Sequence, residues 1–247
     1  VVGVIEADPE TAKKAVLMRK FGQEVIKATG GKKVHPTGAI PGGINKNLSL
    51  AERDALKKDA DTMVEWAVEA LELCKKITRG NLDFLLGFGS FDSNHVSIVR
   101  EDGCMDLYDG KLRAIDAQGN KIFDMIEPLE YADYLGEEVR PWSYMKFPHI
   151  RSLGKEKGWY RVGPLSRVNC CDFIDTELAE KARQEFMALN NGKPDNASMA
   201  YHWARLIELL HSAEKIRELP DDPDLQGKNL VAQGKKRSKG VAWIRLL

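Results

Sequence analysis

The sequence lacks the features that usually mark a membrane protein or a nucleic-acid-binding protein. No apolar run approaches the roughly 18 residues that a membrane-spanning helix needs. Lys and Arg total 37, and Asp and Glu also total 37, so the formal net charge is zero. There is therefore no basic excess to attract nucleic acid or an anionic membrane. These absences predict a protein with no membrane span and no nucleic-acid partner.

The beginning of the chain also lacks familiar signals. The first ten residues, VVGVIEADPE, contain no initiator methionine, no basic start and no small-residue cleavage site. The sequence therefore predicts a cytoplasmic protein whose chain is processed, trimmed or a fragment. Cysteine usage agrees with this location, because none of the four cysteines forms a C-x-x-C pair and free thiols are typical of the cytosol. They are Cys74, Cys104, Cys170 and Cys171.

Recognisable catalytic and metal-binding motifs are missing as well. There is no P-loop, no G-x-S-x-G and no G-x-G-x-x-G, and the single G-x-G at Gly87–Gly89 is typical of a structural turn. No two histidines have H-x-x-x-H spacing, and no nearby acid or cysteine completes a metal set. The five histidines are His35, His95, His149, His202 and His211. Taken alone, the residues predict a soluble domain without a self-contained active site.

Helix signals are strong at both ends of the chain. Asp8 and Pro9 form a typical helix start, and apolar residues then recur every four positions until the glycines at 30 and 31. Ser49 and Glu52 form a capping box that opens a second long helix, which is predicted to end near Arg79. Helical patterns return at Asp175 and again near residues 196–198, and the last of them runs to about residue 219.

The middle of the chain has a different residue pattern, one that is typical of short strands. Phe84–Leu86 and Val96–Val99 resemble short strands, and residues 112–125 are typical of a hairpin with a glycine-containing turn. Residues 141–168 are rich in aromatics, glycine and proline and predict irregular structure with short strands. The expected class is α+β and mainly helical, with long helices packed together and a small inserted antiparallel β region. Residues 1–80 and 172–220 are predicted to be helical, and 82–170 to be β-rich or irregular.

A loop at residues 32–49, KKVHPTGAIPGGINKNLS, joins the first two helices. Its prolines stop a helix and its glycines allow positive φ, so a simple connecting turn explains part of the composition. A second interpretation is a loop shaped against a partner or a cofactor site.

Several segments, in order along the chain, resemble motifs of the large subunit of nickel–iron hydrogenases, the cytosolic NAD-reducing (bidirectional) type in particular. The resemblance extends from Val1 to about Ile244. The matching segments are Arg19–Gln23, Gly31–Pro36, Ile40–Gly43, Trp142–Pro148, Tyr160–Arg167 and Tyr201–Glu208. Ser166 stands where the family motif has alanine. The resemblance identifies residues 1–247 as the central part of a large-subunit domain, incomplete at both ends.

The resemblance implies reversible oxidation of H2 at a nickel–iron centre. Electrons would pass to an iron–sulfur small subunit, then on to NAD or a similar acceptor, with a diaphorase module as a further implied partner. Family members hold the metals with two C-x-x-C pairs, and this chain has neither. We therefore assign no catalytic, cofactor-binding or metal-ligating residue here, and expect the chain alone to bind no nickel–iron centre and to be inactive.

The resemblance also implies residues that face the metal-bearing core or a subunit interface. In the 32–49 loop we expect close backbone packing near the small subunit, and we expect His35 to be structural rather than part of a proton path. Two charged residues within apolar motifs are expected to find partners in the rest of the subunit. The candidates are His35, Pro36, Pro41, Gly42, Gly43, Lys146 and Arg167.

Two alternatives remain open. The chain could be a metal-free relative, such as the respiratory complex I subunit that contributes to a quinone site, or a non-catalytic helical scaffold. At the end of the chain, Arg245–Leu247 stands where the family reads Glu-Ala-Pro-Arg, and from this we expect a shifted reading frame. We also expect apolar surface that the rest of a large subunit would cover.

Overall fold

The computed structural model describes residues 2–236 and residue 238. The chain divides into two compact units. The first runs to Leu73 and also includes the residues from Ser212 to Ser238; the second runs from Cys74 to His211. The expected change of reading frame at Gly240–Leu247 lies outside the described residues.

The first unit is helical with one small hairpin. The Asp8 carboxylate accepts the Thr11 backbone N–H (3.0 Å) and so caps α2. Gly31 (φ 85°) ends that helix in the left-handed conformation. The Glu52 carboxylate accepts the Ser49 N–H (3.0 Å) and the Ser49 hydroxyl accepts the Glu52 N–H (3.2 Å), so the predicted capping box opens α3. The elements are α1 (Val2–Ala7), α2 (Pro9–Gly30), β1 (Ala39–Ile40), β2 (Gly43–Ile44) and α3 (Leu50–Gly80).

The second unit contains a four-stranded sheet in the order β5-β4-β3-β8 and a separate two-stranded hairpin, β6-β7. Pairing is antiparallel except between β3 and β8, which are parallel. The strand β8 lies at the sheet edge. The strands are β3 (Asn94–Val99), β4 (Lys111–Ile115), β5 (Lys121–Ile126), β6 (Leu135–Arg140), β7 (Ser143–Ile150) and β8 (Tyr160–Arg161).

Helices complete the second unit. The short helix α7 is buried at every residue, and it begins after Gly163, whose φ is 83°. Phe186 of α8 packs edge-on against Trp203 of α9, with ring centroids 5.7 Å apart. The helices are α4 (Leu82–Gly87), α5 (Tyr131–Tyr134), α6 (Gly154–Lys157), α7 (Pro164–Cys170), α8 (Glu177–Ala188) and α9 (Ala200–Glu218). Both α3 and α9 contribute residues to each unit.

Each unit has its own apolar core. In the first unit the buried residues Ala28, Leu48 and Leu56 pack with half-buried side chains of α2. In the second unit the sheet supplies most of the core cluster, which consists of Val96, Leu112, Ala114, Phe123 and Ile150. No helix within the described residues is both long enough and apolar enough to cross a bilayer.

The predicted fold class is confirmed, because long helices flank a small, mostly antiparallel β region. The hairpin at 112–125 is present as β4 and β5, joined by a turn in which the Asp116 carboxylate accepts the N–H of Gln118 and of Asn120 (2.9 Å each). The predicted strand at Phe84–Leu86 is wrong, since these residues lie in α4. Only one of its apolar side chains, Leu85, is half-buried, so the run does not serve as a core strand.

Candidate functional site

Two glycines of the 32–49 loop, Gly42 and Gly43, pack against another segment of this chain. Gly42 (φ 94°) lies at the tip of the β1–β2 hairpin, and its carbonyl accepts the Ala232 N–H (2.9 Å). The Ile44 N–H is donated to the Leu230 carbonyl (3.0 Å). A Cβ atom added to Gly43 would lie 2.0 Å from the Leu230 oxygen. The close backbone approach predicted for this loop is therefore made to residues 230–232.

The remaining loop candidates lie at the surface. His35, Pro36 and Pro41 are exposed, as are both glycines of the hairpin. His35 has a positive φ of 49°, which is uncommon for a side-chain-bearing residue. The Thr37 N–H is donated to the Gly30 carbonyl (3.0 Å), so the loop is fastened back onto the end of α2. The loop is thus held both by this local bond and by its bonds to residues 230–232.

Lys146 lies on the exposed hairpin β6–β7. Its ammonium group donates to Glu137 across the hairpin (2.7 Å), and this bond raises the pKa of Lys146. Both side chains are more than half exposed, so salt and water screen the pair. The partner that we expected from the rest of a subunit is therefore present within this chain.

Arg167 is buried and paired within the second unit. It lies in α7, and its guanidinium donates to both carboxylate oxygens of Glu208 in α9, with Nη2 3.1 Å from Oε2. Both side chains are less than a tenth exposed. This bidentate ion pair links the fully buried helix α7 to α9. Both partners belong to motifs that carry the family resemblance.

His95 forms a buried polar cluster that the sequence did not reveal. Its Nδ1 lies 3.1 Å from the Ser166 hydroxyl, and its Nε2 lies 3.3 Å from Asn196 Oδ1. The Asn196 oxygen accepts only and makes the shorter of the two contacts at Nε2, which favours the tautomer with the proton on Nε2 and with Nδ1 accepting from the hydroxyl. Burial lowers the pKa of His95 to about 4. A neutral imidazole therefore joins β3 to α7, with Asn169 (3.4 Å) beside it.

The cysteines do not fit a nickel–iron centre. Burial raises the pKa of the Cys104 thiol to about 11 and that of the Cys171 thiol to about 12, and it also raises those of Cys74 and Cys170. Metal ligation requires thiolates, and burial disfavours the thiolate form of these four groups. Within residues 2–236, no group of three or more His, Cys, Asp or Glu side chains is placed to hold a metal ion. The metal-ligating side chains of the described residues therefore do not match the nickel–iron centre that the family resemblance implies.

The hairpin β6–β7 also presents a strongly apolar surface. Trp142 is 74% exposed, Tyr144 98% and Met145 63%. Trp142 packs edge-on against Phe147, which keeps the aromatic pair together at the surface. Side chains of this size are usually buried in a free-standing domain or at an interface.

Comparisons with known proteins agree with the motifs. No protein-family model matches the chain. It is 43% identical over 245 residues to a subunit of the F420-non-reducing hydrogenase vhu of Methanococcus voltae, covering 99% of this chain and 58% of that protein. It is 40% identical over 237 residues to the NAD-reducing hydrogenase HoxS subunit beta of Cupriavidus necator, covering 94% of this chain and 48% of that protein.

A solved structure gives the same result for the fold. The NAD+-reducing [NiFe]-hydrogenase in the H2-reduced state superposes with a TM-score of 0.92 and 44% identity, covering 96% of this chain and 52% of that chain. All three of these proteins are hydrogenases, a class of oxidoreductase. The resemblance to the large subunit of nickel–iron hydrogenases is therefore confirmed by the sequence relatives and by the fold. It spans about half the length of the relatives that it matches.

Proposed function

We propose that this chain is the central part of the catalytic large subunit of a nickel–iron hydrogenase. The observation that carries the proposal is the superposition on an NAD+-reducing [NiFe]-hydrogenase, with a TM-score of 0.92 over 96% of this chain. In this proposal the full-length subunit oxidises H2 reversibly and passes electrons to an iron–sulfur small subunit. Residues 1–247 would form one central region of the large-subunit domain, incomplete at both ends.

The contribution of this region is positioning. Its own residues do not fit the metal centre, so the proposed H2 chemistry belongs to parts of the subunit outside these 247 residues. The buried pair Arg167–Glu208 and the neutral His95 hold α7 against its neighbours, so that the segment Tyr160–Arg167 has one fixed conformation. We infer that the second unit holds this segment in place and that the chain is inactive alone.

Our proposals for the electron acceptor and the location draw on the relatives. The Cupriavidus necator relative is named NAD-reducing and the Methanococcus voltae relative F420-non-reducing, at similar identities of 40% and 43%. We propose NAD or a similar acceptor, reached through the small subunit with a diaphorase module as a further partner, in the cytoplasm. The exposed loop residues His35, Pro36, Pro41, Gly42 and Gly43 are proposed to lie near the small subunit.

A metal-free relative is the second candidate. It is consistent with the absence of C-x-x-C pairs from residues 1–247, which a hydrogenase segment with its ligands elsewhere would share. Such a protein would contribute to a quinone site or act as a helical scaffold. The two candidates differ in the sequence on either side of this segment, where a hydrogenase would carry C-x-x-C pairs and a metal-free relative would not.

The test begins with the gene on both sides of the segment. If C-x-x-C pairs are present, the full-length subunit should be produced together with its small subunit, then assayed for bound nickel and for H2-dependent reduction of a dye and of NAD+. We expect the complex to contain nickel and to reduce the dye with H2. Both properties should be lost when one C-x-x-C pair is changed to serines. Flanks without cysteine pairs, or a complex that contains nickel but never reduces dye with H2, would contradict the enzyme proposal.

A further inference from the structure

Arg161 lies in the edge strand β8. Its guanidinium has a defined orientation but few hydrogen-bond acceptors. Its guanidinium stacks on the Phe91 ring, with Cζ 4.3 Å from the ring centroid. Nη2 donates one long bond (3.4 Å) to the Gly89 carbonyl. Nη1 is buried, and no acceptor in the described part of the chain reaches it. A buried N–H group without an acceptor costs free energy, so the chain leaves this guanidinium incompletely paired.

The acceptors next to Arg161 are already engaged. The Gly89 carbonyl also accepts the Ser198 hydroxyl at 2.8 Å, a better distance than that of the arginine bond. Asp195 is close enough for the positive charge to act on its carboxylate, yet the two residues form no ion pair among the described contacts. Asp195 Oδ1 instead accepts the Ala197 N–H (2.8 Å). Arg161 therefore retains a full positive charge without a carboxylate partner.

Three exposed aromatic residues lie in the two segments that hold Arg161, and one of them stacks on its guanidinium. Phe91 is 58% exposed although it stacks on the arginine, Phe88 precedes the bonded Gly89 and is 55% exposed, and Trp159 precedes β8 and is 62% exposed. We call Phe88, Phe91, Trp159 and Arg161 the Arg161 surface. An arginine beside large aromatic side chains is the composition found at the energetic centre of many protein interfaces. The surface therefore has the chemistry of an interface rather than that of ordinary exposed residues.

We propose that Arg161 anchors an acidic side chain carried by a segment of the same hydrogenase subunit that lies outside residues 1–247. The inference rests on the proposed function. A carboxylate is the matching group because it can accept two parallel N–H bonds from one guanidinium and neutralise its charge. The same subunit is the source because the solved homologue is matched over only 52% of its chain, which leaves a comparable length of polypeptide to cover this surface.

The experiment uses the full-length subunit in complex with its small subunit. A structure of the unaltered complex should show an Asp or Glu from outside residues 1–247 bonded to the Arg161 guanidinium. Arg161→Met should then lower the midpoint of thermal unfolding by about 5 °C, with partial recovery in Arg161→Lys. Arg140→Met is the matched control, since Arg140 is exposed and pairs with Glu138 inside its own hairpin (2.9 Å), and it should leave the midpoint unchanged.

The acidic residue found in that structure provides the second readout. Its change to Asn or Gln should lower the midpoint as Arg161→Met does, and the double variant should be little worse than either single variant. A carboxylate from the small subunit or from a second copy would overturn the assigned source, and a guanidinium bonded only to solvent and to its own chain would overturn the anchor. H2-dependent dye reduction by the unaltered complex is measured separately, so failure of the proposed function is distinguishable from failure of this contact.

Discussion

At the scale of single residues, burial determines which groups can carry charge. His95 is fully buried among a serine hydroxyl and two asparagine amides. Its partners lie 71 to 101 positions away along the chain, so no local pattern could reveal the cluster. Arg167 was recognisable as a charged residue within an apolar motif, but its partner Glu208 became evident only from the packing of α7 on α9.

The stability of the chain is expected to decrease in acid because of His95. Its pKa is about 4 in the folded chain, against about 6.5 when it is exposed on unfolding. The unfolded chain therefore binds more protons between these values, and the contribution of His95 is complete above about pH 6.5 and is lost as the pH falls toward 4. The shift corresponds to about 3 kcal/mol of unfolding free energy. Urea unfolding at a series of pH values measures it.

The control for this prediction is His202→Gln, because His202 lies exposed on α9. That variant should keep the pH dependence of the unaltered chain, whereas His95→Gln should weaken it. An NMR titration of the histidine ring protons gives an answer even if the His95 variant folds poorly. A midpoint near 6.5 for His95 in the folded chain would contradict the prediction.

Arg167 and Glu208 are expected to stabilise the fold only as a pair. Arg167→Met leaves a buried carboxylate without its main partner, so the unfolding free energy should fall by about 3–5 kcal/mol. Arg167→Met combined with Glu208→Leu removes both charges and should lose less than the sum of the two single changes. Chemical denaturation of the four proteins measures the coupling. Strict additivity would show that the two groups act independently.

At the scale of elements, local sequence signals predicted the structure best where a residue bonds to a near neighbour in the sequence. The Asp8 cap and the Ser49–Glu52 box place the starts of α2 and α3 as predicted. The prediction for Phe84–Leu86 was wrong because three apolar residues in a row fit a strand or a short helix equally well. Of the two hairpin glycines in the 32–49 loop, Gly42 has the positive φ that was predicted and Gly43 does not. The segment that the hairpin bonds to, residues 230–232, lies almost 190 positions away and is invisible to local analysis.

The hairpin at the tip of that loop provides a prediction at the same scale. Gly43→Ala would place a Cβ 2.0 Å from the Leu230 oxygen, so residues 230–232 should detach. Hydrogen exchange of the Ala232 and Ile44 amides, which bond across this contact, should accelerate. Gly234→Ala is the matched control because no atom lies within 4 Å of its added Cβ. Unchanged exchange in Gly43→Ala would mean that the contact adapts to the extra methyl group.

At the scale of the whole molecule, the sequence predicted the class but not the surfaces. Periodicity and turn chemistry were enough for an α+β, mainly helical chain, and the motifs were enough for the family. Which apolar side chains remain exposed depends on all the packing at once. The hairpin motif Trp142–Pro148 could have been assigned to a core on composition alone, yet most of its large side chains face outward.

This exposed apolar surface predicts association of the isolated chain. Trp142, Tyr144 and Met145 are each more than 60% exposed on one hairpin, and covering such surface lowers the free energy of the system. The 247-residue chain should therefore bind a hydrophobic dye and sediment as oligomers. Changing Trp142 and Tyr144 together to Gln should reduce both effects, whereas Lys155→Gln, at an exposed polar position, should not. A monomer that binds no dye would show that the surface is tolerated in water, and it would remove one reason for expecting more of the subunit to cover it.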